Sequence, residues 1–167
     1  MSVVSNSSPL INLARVGRMD ILRQLYGKVV IPEAVWNEVV VQEAGQPGAD
    51  EVREAPWIVK RSVRNRELVL ALRQELGAGE AEAIALALEI KAQLLLMDEH
   101  LGRETAHHLG LRYTGIVGVL IEAKRMGIIE TIRSLLDDLR GEANFRISDA
   151  LYRRVLEDQG EWDESKS

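Results

Sequence analysis

At 167 residues the chain fits one domain with a full hydrophobic core, and 46% apolar with 28% charged residues is the composition of an ordinary soluble globular protein. The absence of cysteine excludes disulfides, thiolate metal sites and thiol catalysis. A net charge of −5 argues against a generic nucleic-acid-coating protein, and an aromatic content of 4% argues against an aromatic base-stacking platform. No apolar run approaches the roughly 18–20 residues that cross a bilayer. Met1 to Ser5 has no basic region followed by an apolar stretch, so no signal peptide is expected and a cytoplasmic location is the default.

The elements follow a regular punctuation. Val3-Val4-Ser5 reads as a strand, and Ser8-Pro9 as an N-cap with proline at the first helical position, opening a helix to about Arg15. A second helical piece from Asp20 to Leu25 stops at Gly27. Lys28 to Ile31 is a β-branched strand, and Pro32 opens the helix that carries Glu38. After the Gly45–Gly48 loop come a short helix at Ala49–Glu54 and a strand at Trp57–Lys60. Asn65 caps a helix to about Leu76, Gly77 to Gly79 break it, and Glu80 to Ile90 forms an alanine-rich helix. Leu94 to Met97 is a buried strand, Glu99 to Leu109 a helix, and Leu111 to Thr114 a further strand. Helices at Ile116–Met126, Glu130–Leu139 and Asp149–Asp158 follow, the last capped by Ser148. Residues 1–160 form one domain and 161–167 a polar, frayed tail. Strands alternating with helices imply a three-layer α/β/α sandwich around a central parallel sheet.

Four side chains stand where such a fold does not need them. Asp98 closes the buried strand Leu94–Met97 and Asn6 closes Val3–Ser5, and ligands collect beyond the carboxyl ends of parallel strands. Glu38 shares a helical face with Ala34, Val35 and Val41, where a carboxylate is costly unless it is paired or bound to a cation. Glu80 and Glu82 open the alanine-rich helix after Gly79; helical phase does not choose between them, and both also suit a helix N-terminus. Each residue alone has a structural reading: Asp98 as an N-cap, Asn6 as a turn-former, Glu38 at the margin of the stripe. Their joint placement points to one divalent-metal site. His100, His107 and His108 show no metal-ligand spacing, and the last two, adjacent on a helix, are not expected to face one site; all three read as surface residues.

The stretches Val3–Ile11, Val30–Val39, Leu76–Ala87, Leu94–Glu99, Thr114–Leu120 and Phe145–Ser148, in this order and spacing, resemble a PIN-domain protein across nearly the whole chain. The likeness is greatest to a VapC-like bacterial and archaeal subgroup of predicted nucleic-acid-binding proteins, often linked to toxin–antitoxin pairs. The resemblance implies an α/β/α sandwich and a ribonuclease dependent on Mg2+ or Mn2+. It also assigns the acidic cluster to Asn6, Glu38, Glu80 and Asp98, with Glu82 and Glu99 as reserves. The departure is Asn6, which stands where the family has an aspartate. It can give a carbonyl oxygen to a metal but no charge, which weakens binding of an ion that prefers carboxylates.

The expected function is therefore RNA phosphodiester hydrolysis by a toxin-like enzyme held in check by an antitoxin protein. Glu38, Glu80 and Asp98 would serve as catalytic metal ligands, with Ser7 and Arg103 on the substrate. A basic track could come from Lys60, Arg61, Arg64 and Arg66. The competing reading, favoured by Asn6, is a catalytically weak PIN fold that binds RNA or a protein partner. A phosphotransferase-like enzyme with Asp98 as nucleophile is a third. No membrane partner is expected, and the apolar C-terminal helices are compatible with a homodimer.

Overall fold

The structure, a computed structural model, describes residues 1–143 and 145–164. Residues 165–167 of the expected tail lie outside the described residues. Five short strands, β1 (Val3–Ser5), β2 (Val29–Pro32), β3 (Ile58–Arg61), β4 (Leu94–Leu96) and β5 (Tyr113–Thr114), form one parallel sheet in the order β3-β2-β1-β4-β5. The central strands are buried on both faces, which is why they read as unbroken apolar runs. Alternate residues feed two cores: Val3, Val29, Ile31 and Leu96 point into one, and Val4, Val30 and Leu95 into the other.

The first core is closed by α1 (Ser7–Arg15), α2 (Asp20–Tyr26), α4 (Ala49–Glu54), α8 (Ile116–Arg125), α9 (Arg133–Gly141) and α10 (Asp149–Asp158). The second is closed by α5 (Arg66–Leu72), α6 (Ala78–Glu89) and α7 (His100–His108). The result is the expected α/β/α sandwich, with the C-terminal helices on one side. Helix α6 is buried almost all round, from Ala81 to Ala87, and its alanines allow close approach of the sheet. From β1 the chain winds outward through β2 to β3, then returns to place β4 on the other flank of β1. At such a reversal the connections leave in opposite directions, and a crevice opens beyond the carboxyl ends of β1 and β4.

Helix α3 runs from Glu33 to Gln42 in two geometries: one α-helical turn, Glu33–Trp36, then a π-helical stretch, Asn37–Gln42. The wider i→i+5 winding changes the phase of the side chains. Val39 and Val40 are therefore buried while Val41, expected on the apolar face, is 60% exposed. Glu38 sits in that first π turn. Two further expectations need correcting. Helix α1 starts at Ser7 with Asn6 in the N-cap position, so Pro9 is its third residue rather than its first. Helix α6 starts at Ala78, so Gly79 lies inside it and does not precede it.

Glu161 and Trp162, expected in the frayed tail, are docked. The Glu161 carboxylate accepts hydrogen bonds from the backbone N–H groups of Ile132 and Arg133 at the start of α9, and pairs with Lys124 at 2.7 Å. Burial alone would raise its pKa, but Lys124 and the two amides more than reverse this and hold it below the ordinary glutamate range. A depressed acid contributes stability that is present above the unfolded value and lost as pH falls through the folded one. Glu161→Ala should therefore lower unfolding stability by about 1–3 kcal/mol near neutral pH. The deficit relative to wild type should shrink on acidification below the ordinary glutamate value of about 4.3, as followed by chemical denaturation at several pH values.

Candidate metal centre at the sheet crevice

Asn6 and Asp98 emerge at the crevice because β1 and β4 end level, with Ser5 opposite Leu96. The backbone N–H of Asn6 donates to the Leu96 carbonyl at 3.0 Å, which extends the pairing one residue past the strand. Although Asn6 occupies the N-cap position of α1, its side chain makes no cap hydrogen bond. Its Nδ2 turns instead toward the Met97 sulfur, 3.4 Å away, and the residue is only 4% exposed. A turn-forming role for the Asn6 side chain is thereby replaced by a position against β4, beside Asp98.

Glu38 is held from two sides. Ser7 donates its hydroxyl to Oε2, and the backbone N–H of Gly79 donates to Oε1 at 3.0 Å. The carboxylate lies directly on Gly79: a Cβ there would stand 2.6 Å from both its oxygens. No side chain larger than hydrogen fits without moving Glu38. Gly79 thus serves the site, and Ser7 reaches it by fixing a carboxylate.

Glu80 and Glu82 differ in their partners. Glu82 is 8% exposed and accepts from the backbone N–H of Ala34, in the first turn of α3, while pairing with Arg66 at 3.2 Å. It ties α6 to α3 through one carboxylate oxygen and to Arg66 of α5 through the other. Glu80 lies in the field of Glu38 and Glu99, and its pKa is raised by burial first, then by Glu99, against a lowering contact with the Gly77 backbone. Glu99 itself is exposed at the rim.

Asp98 behaves differently from the expected cap of its own helix. Its Oδ1 accepts from the N–H of Ile116, at 3.0 Å, so it caps α8 across the crevice rather than α7. Gly115 makes room for it, since a Cβ there would meet Oδ1 at 2.3 Å. The other oxygen, Oδ2, is buried without any hydrogen-bond partner. Burial raises the Asp98 pKa, opposed by the Ile116 amide and by the positive field of Arg103.

Arg103 lies on α7 with its guanidinium over the Tyr113 ring, 5.1 Å from the centroid. It shares with Asp98 a cavity of about 400 Å3 that His100, His107 and His108 also line. The histidines are exposed, as expected, yet His107 and His108 do border one cavity, against expectation. They splay along its wall where α7 ends, a relation that adjacency in sequence does not reveal. Of the residues expected in a basic track, Lys60 lies over Trp36 and Arg66 pairs with Glu82, while Arg61 and Arg64 border one cavity at the end of β3.

A family model described as a PIN domain (DUF3368) matches residues 2–161. The chain belongs to the PIN-domain family. No curated protein matches the chain. The PIN domain is a nuclease-type fold, and the crevice of this one can be tested against the divalent ion that its family implies. The donors are all oxygen, three of them carboxylates, as Mg2+ or Mn2+ requires. The buried, unpartnered Oδ2 of Asp98 is the acceptor a cation would satisfy. Among the described residues, no three histidine, aspartate or glutamate side chains already stand in a metal-holding arrangement. The donor set therefore fits such an ion by chemistry, while the carboxylates are held apart by their separate backbone partners. No helix among the described residues is long and apolar enough to cross a membrane.

Two variants test this picture in metal-free protein. An acid whose folded pKa is raised loses stability as pH climbs from the unfolded to the folded value. Asp98→Asn keeps an acceptor for the Ile116 N–H and removes the buried charge, so in EDTA at neutral pH it should raise the stability by about 0.5–2 kcal/mol, read as an increase in Tm. Gly79→Ala should do the opposite, lowering stability by about 1–3 kcal/mol as the new methyl group displaces Glu38; an unchanged Tm would mean that Glu38 is not locked on Gly79.

Proposed function

We propose that this PIN domain is a Mg2+- or Mn2+-dependent endoribonuclease, a toxin-like component kept in check by a partner protein. The observation that carries the reading is the buried Oδ2 of Asp98, without a partner among the described residues, at the point where the sheet reverses; Glu99 bears on Asp98, and Glu99 and Glu38 bear on Glu80. A structural carboxylate would be expected to have its acceptors satisfied. One left bare among like charges suits a cation.

Asp98, Glu80 and Glu38 would hold the ion, with Asn6 contributing an uncharged oxygen. When bound, such an ion polarises a phosphodiester oxygen and lowers the pKa of a water that attacks phosphorus. The protein's own part is positioning. Ser7 and Gly79 fix the rotamer of Glu38, and Ile116 fixes that of Asp98. Glu80, tied only through the Gly77 backbone, is the carboxylate freest to adjust. Arg103 lies near enough to Asp98 to influence its charge and is the cation best placed to receive a phosphate.

A second reading has one specific observation behind it. Asn6 removes a negative charge from the site, which weakens the grip on metal and suits a binding protein of low activity. Cleavage of a labelled RNA with Mn2+ separates the two. Glu80→Gln and Asp98→Asn should each reduce the rate by about 10²-fold or more, with Asp98→Asn folded and more stable than wild type. Asn6→Asp should tighten Mn2+ binding in calorimetry and raise the cleavage rate. Wild-type protein that shows neither a Mn2+ heat nor metal-dependent cleavage would overturn the nuclease reading in favour of the binding one.

A further inference from the structure

Helix α7 and strand β5 build a feature that the acid cluster does not explain. All three histidines of the chain border the cavity beside Asp98. Arg103 enters it half-buried, with its guanidinium laid over Tyr113, and among the described residues none of the ion pairs or side-chain hydrogen bonds uses that guanidinium. Five N–H donors in a fixed fork, held in place but given no acceptor, match a phosphate or carboxylate. Glu104, the other acid at the cavity, faces His100 at 3.9 Å, so Asp98 is the acid whose charge Arg103 feels, through space and without an ion pair among the described residues. His107 stands edge-on to Tyr113, with centroids 6.4 Å apart, and His108 stands edge-on to His107 at 6.1 Å. Neither imidazole has a carboxylate partner among the described residues.

We propose that this cavity seats one unpaired nucleotide flanking the scissile phosphate of a single-stranded RNA, with its phosphate on the Arg103 guanidinium and its base against the imidazoles of His107 and His108. This rests on the reading of the acid cluster as an RNA-cleaving site and adds to it a nucleotide-binding surface on α7 and β5. Bases inside a duplex are already stacked, and the cavity walls reach only a base that is splayed out. Histidine and arginine planes accept any base face, so the cavity selects for unpaired structure more than for sequence. A chain of net charge −5 has no general hold on a duplex backbone, which makes a local phosphate grip beside the metal ligands the more important.

Binding of fluorescent oligonucleotides to the full chain, measured by anisotropy in EDTA and low salt, tests the cavity without calling on the metal. Wild type should bind single-stranded RNA more tightly than the same sequence as a duplex. Arg103→Ala should weaken single-strand binding by about tenfold, and the His107→Ala, His108→Ala double variant by about the same factor, with little effect on duplex. Arg103→Lys, which keeps charge and loses the fork, should fall between. Because these side chains are at the surface or half-buried, Tm should stay close to wild type. Equal binding of single-stranded DNA would support the phosphate-and-base chemistry and extend it to DNA. Variants that bind single strands like wild type, a preference for duplex, or equal capture of a poly-glutamate peptide would each overturn the proposal, the last in favour of an acidic protein segment. Should the variants bind normally while wild type cleaves RNA with Mn2+, the cavity assignment falls and the nuclease reading stands. Should wild type bind as proposed but never cleave, the nuclease reading falls and the nucleotide site remains.

Discussion

The parallel pairing of β1 with β4 is the constraint on which the rest depends. Val3, Val4 and Ser5 lie opposite Leu94, Leu95 and Leu96, and the Asn6 amide adds one more rung to Leu96. Leu95 and Leu96 are both fully buried but in different cores, one under α6 and the other under α8. A slip of one residue would exchange them and turn each core's side chains into the other. The same register decides that Asn6 and Asp98 leave the sheet side by side. Because the chain reverses direction there, α1 and α7 depart to opposite faces and leave the space between them open. The fold thus determines both that a crevice exists and which residues stand at its mouth.

The carboxylates are kept in this crevice by backbone amides, not by basic side chains. Glu38 takes the N–H of Gly79 and Asp98 that of Ile116, both in the first turn of a helix. The positive ends of α6 and α8 therefore face the acids and offset part of their repulsion. Burial first, and the neighbouring acids after it, raise the pKa values of Glu80 and Asp98, and Oδ2 of Asp98 has no partner among the described residues. Close approach is essential to the arrangement: a side chain at Gly79 or Gly115 would displace the carboxylate of Glu38 or Asp98. Asn6 fits the same economy of charge: an aspartate at a position 4% exposed, against Met97, would add a fourth negative charge to a site already short of cations.

Much of this was legible in the sequence, for identifiable reasons. Strands buried on both faces are plain apolar runs, and alternation with helices gives a parallel sheet, so the layers and the places of Asn6 and Asp98 followed directly. Glu38 was found by assuming an α-helical phase, but the π-helical turn shows why Val41 broke the pattern while Glu38 did not: the change of winding begins at Asn37 and accumulates beyond it. Glu80 and Glu82 could not be separated from phase, because the distinction depends on Ala34 and Arg66, partners distant in sequence. The roles of Ser7, Gly79 and Gly115 as supports for carboxylates leave no local signal at all. Nor does the cavity along α7, since a count of Phe, Trp and Tyr overlooks histidine as a ring.

The acidity of the protein shapes how it can meet a nucleic acid. With a surplus of five negative charges, long-range attraction to a phosphate chain is absent, and any affinity must come from short-range contacts. The cations that border the sheet crevice are few. Arg66 is paired to Glu82 and Lys60 lies on Trp36, and Arg103 is the guanidinium whose field reaches Asp98. A divalent ion among Glu38, Glu80 and Asp98 would invert the local sign of the crevice and place a second positive centre next to Arg103. Phosphate binding and metal binding then reinforce each other across Asp98, whose charge both cations share. An acidic chain with that coupling would grip RNA only where a phosphate and an unpaired base arrive together at the end of β4, so selectivity would arise from the shape of the crevice and not from the charge of the surface.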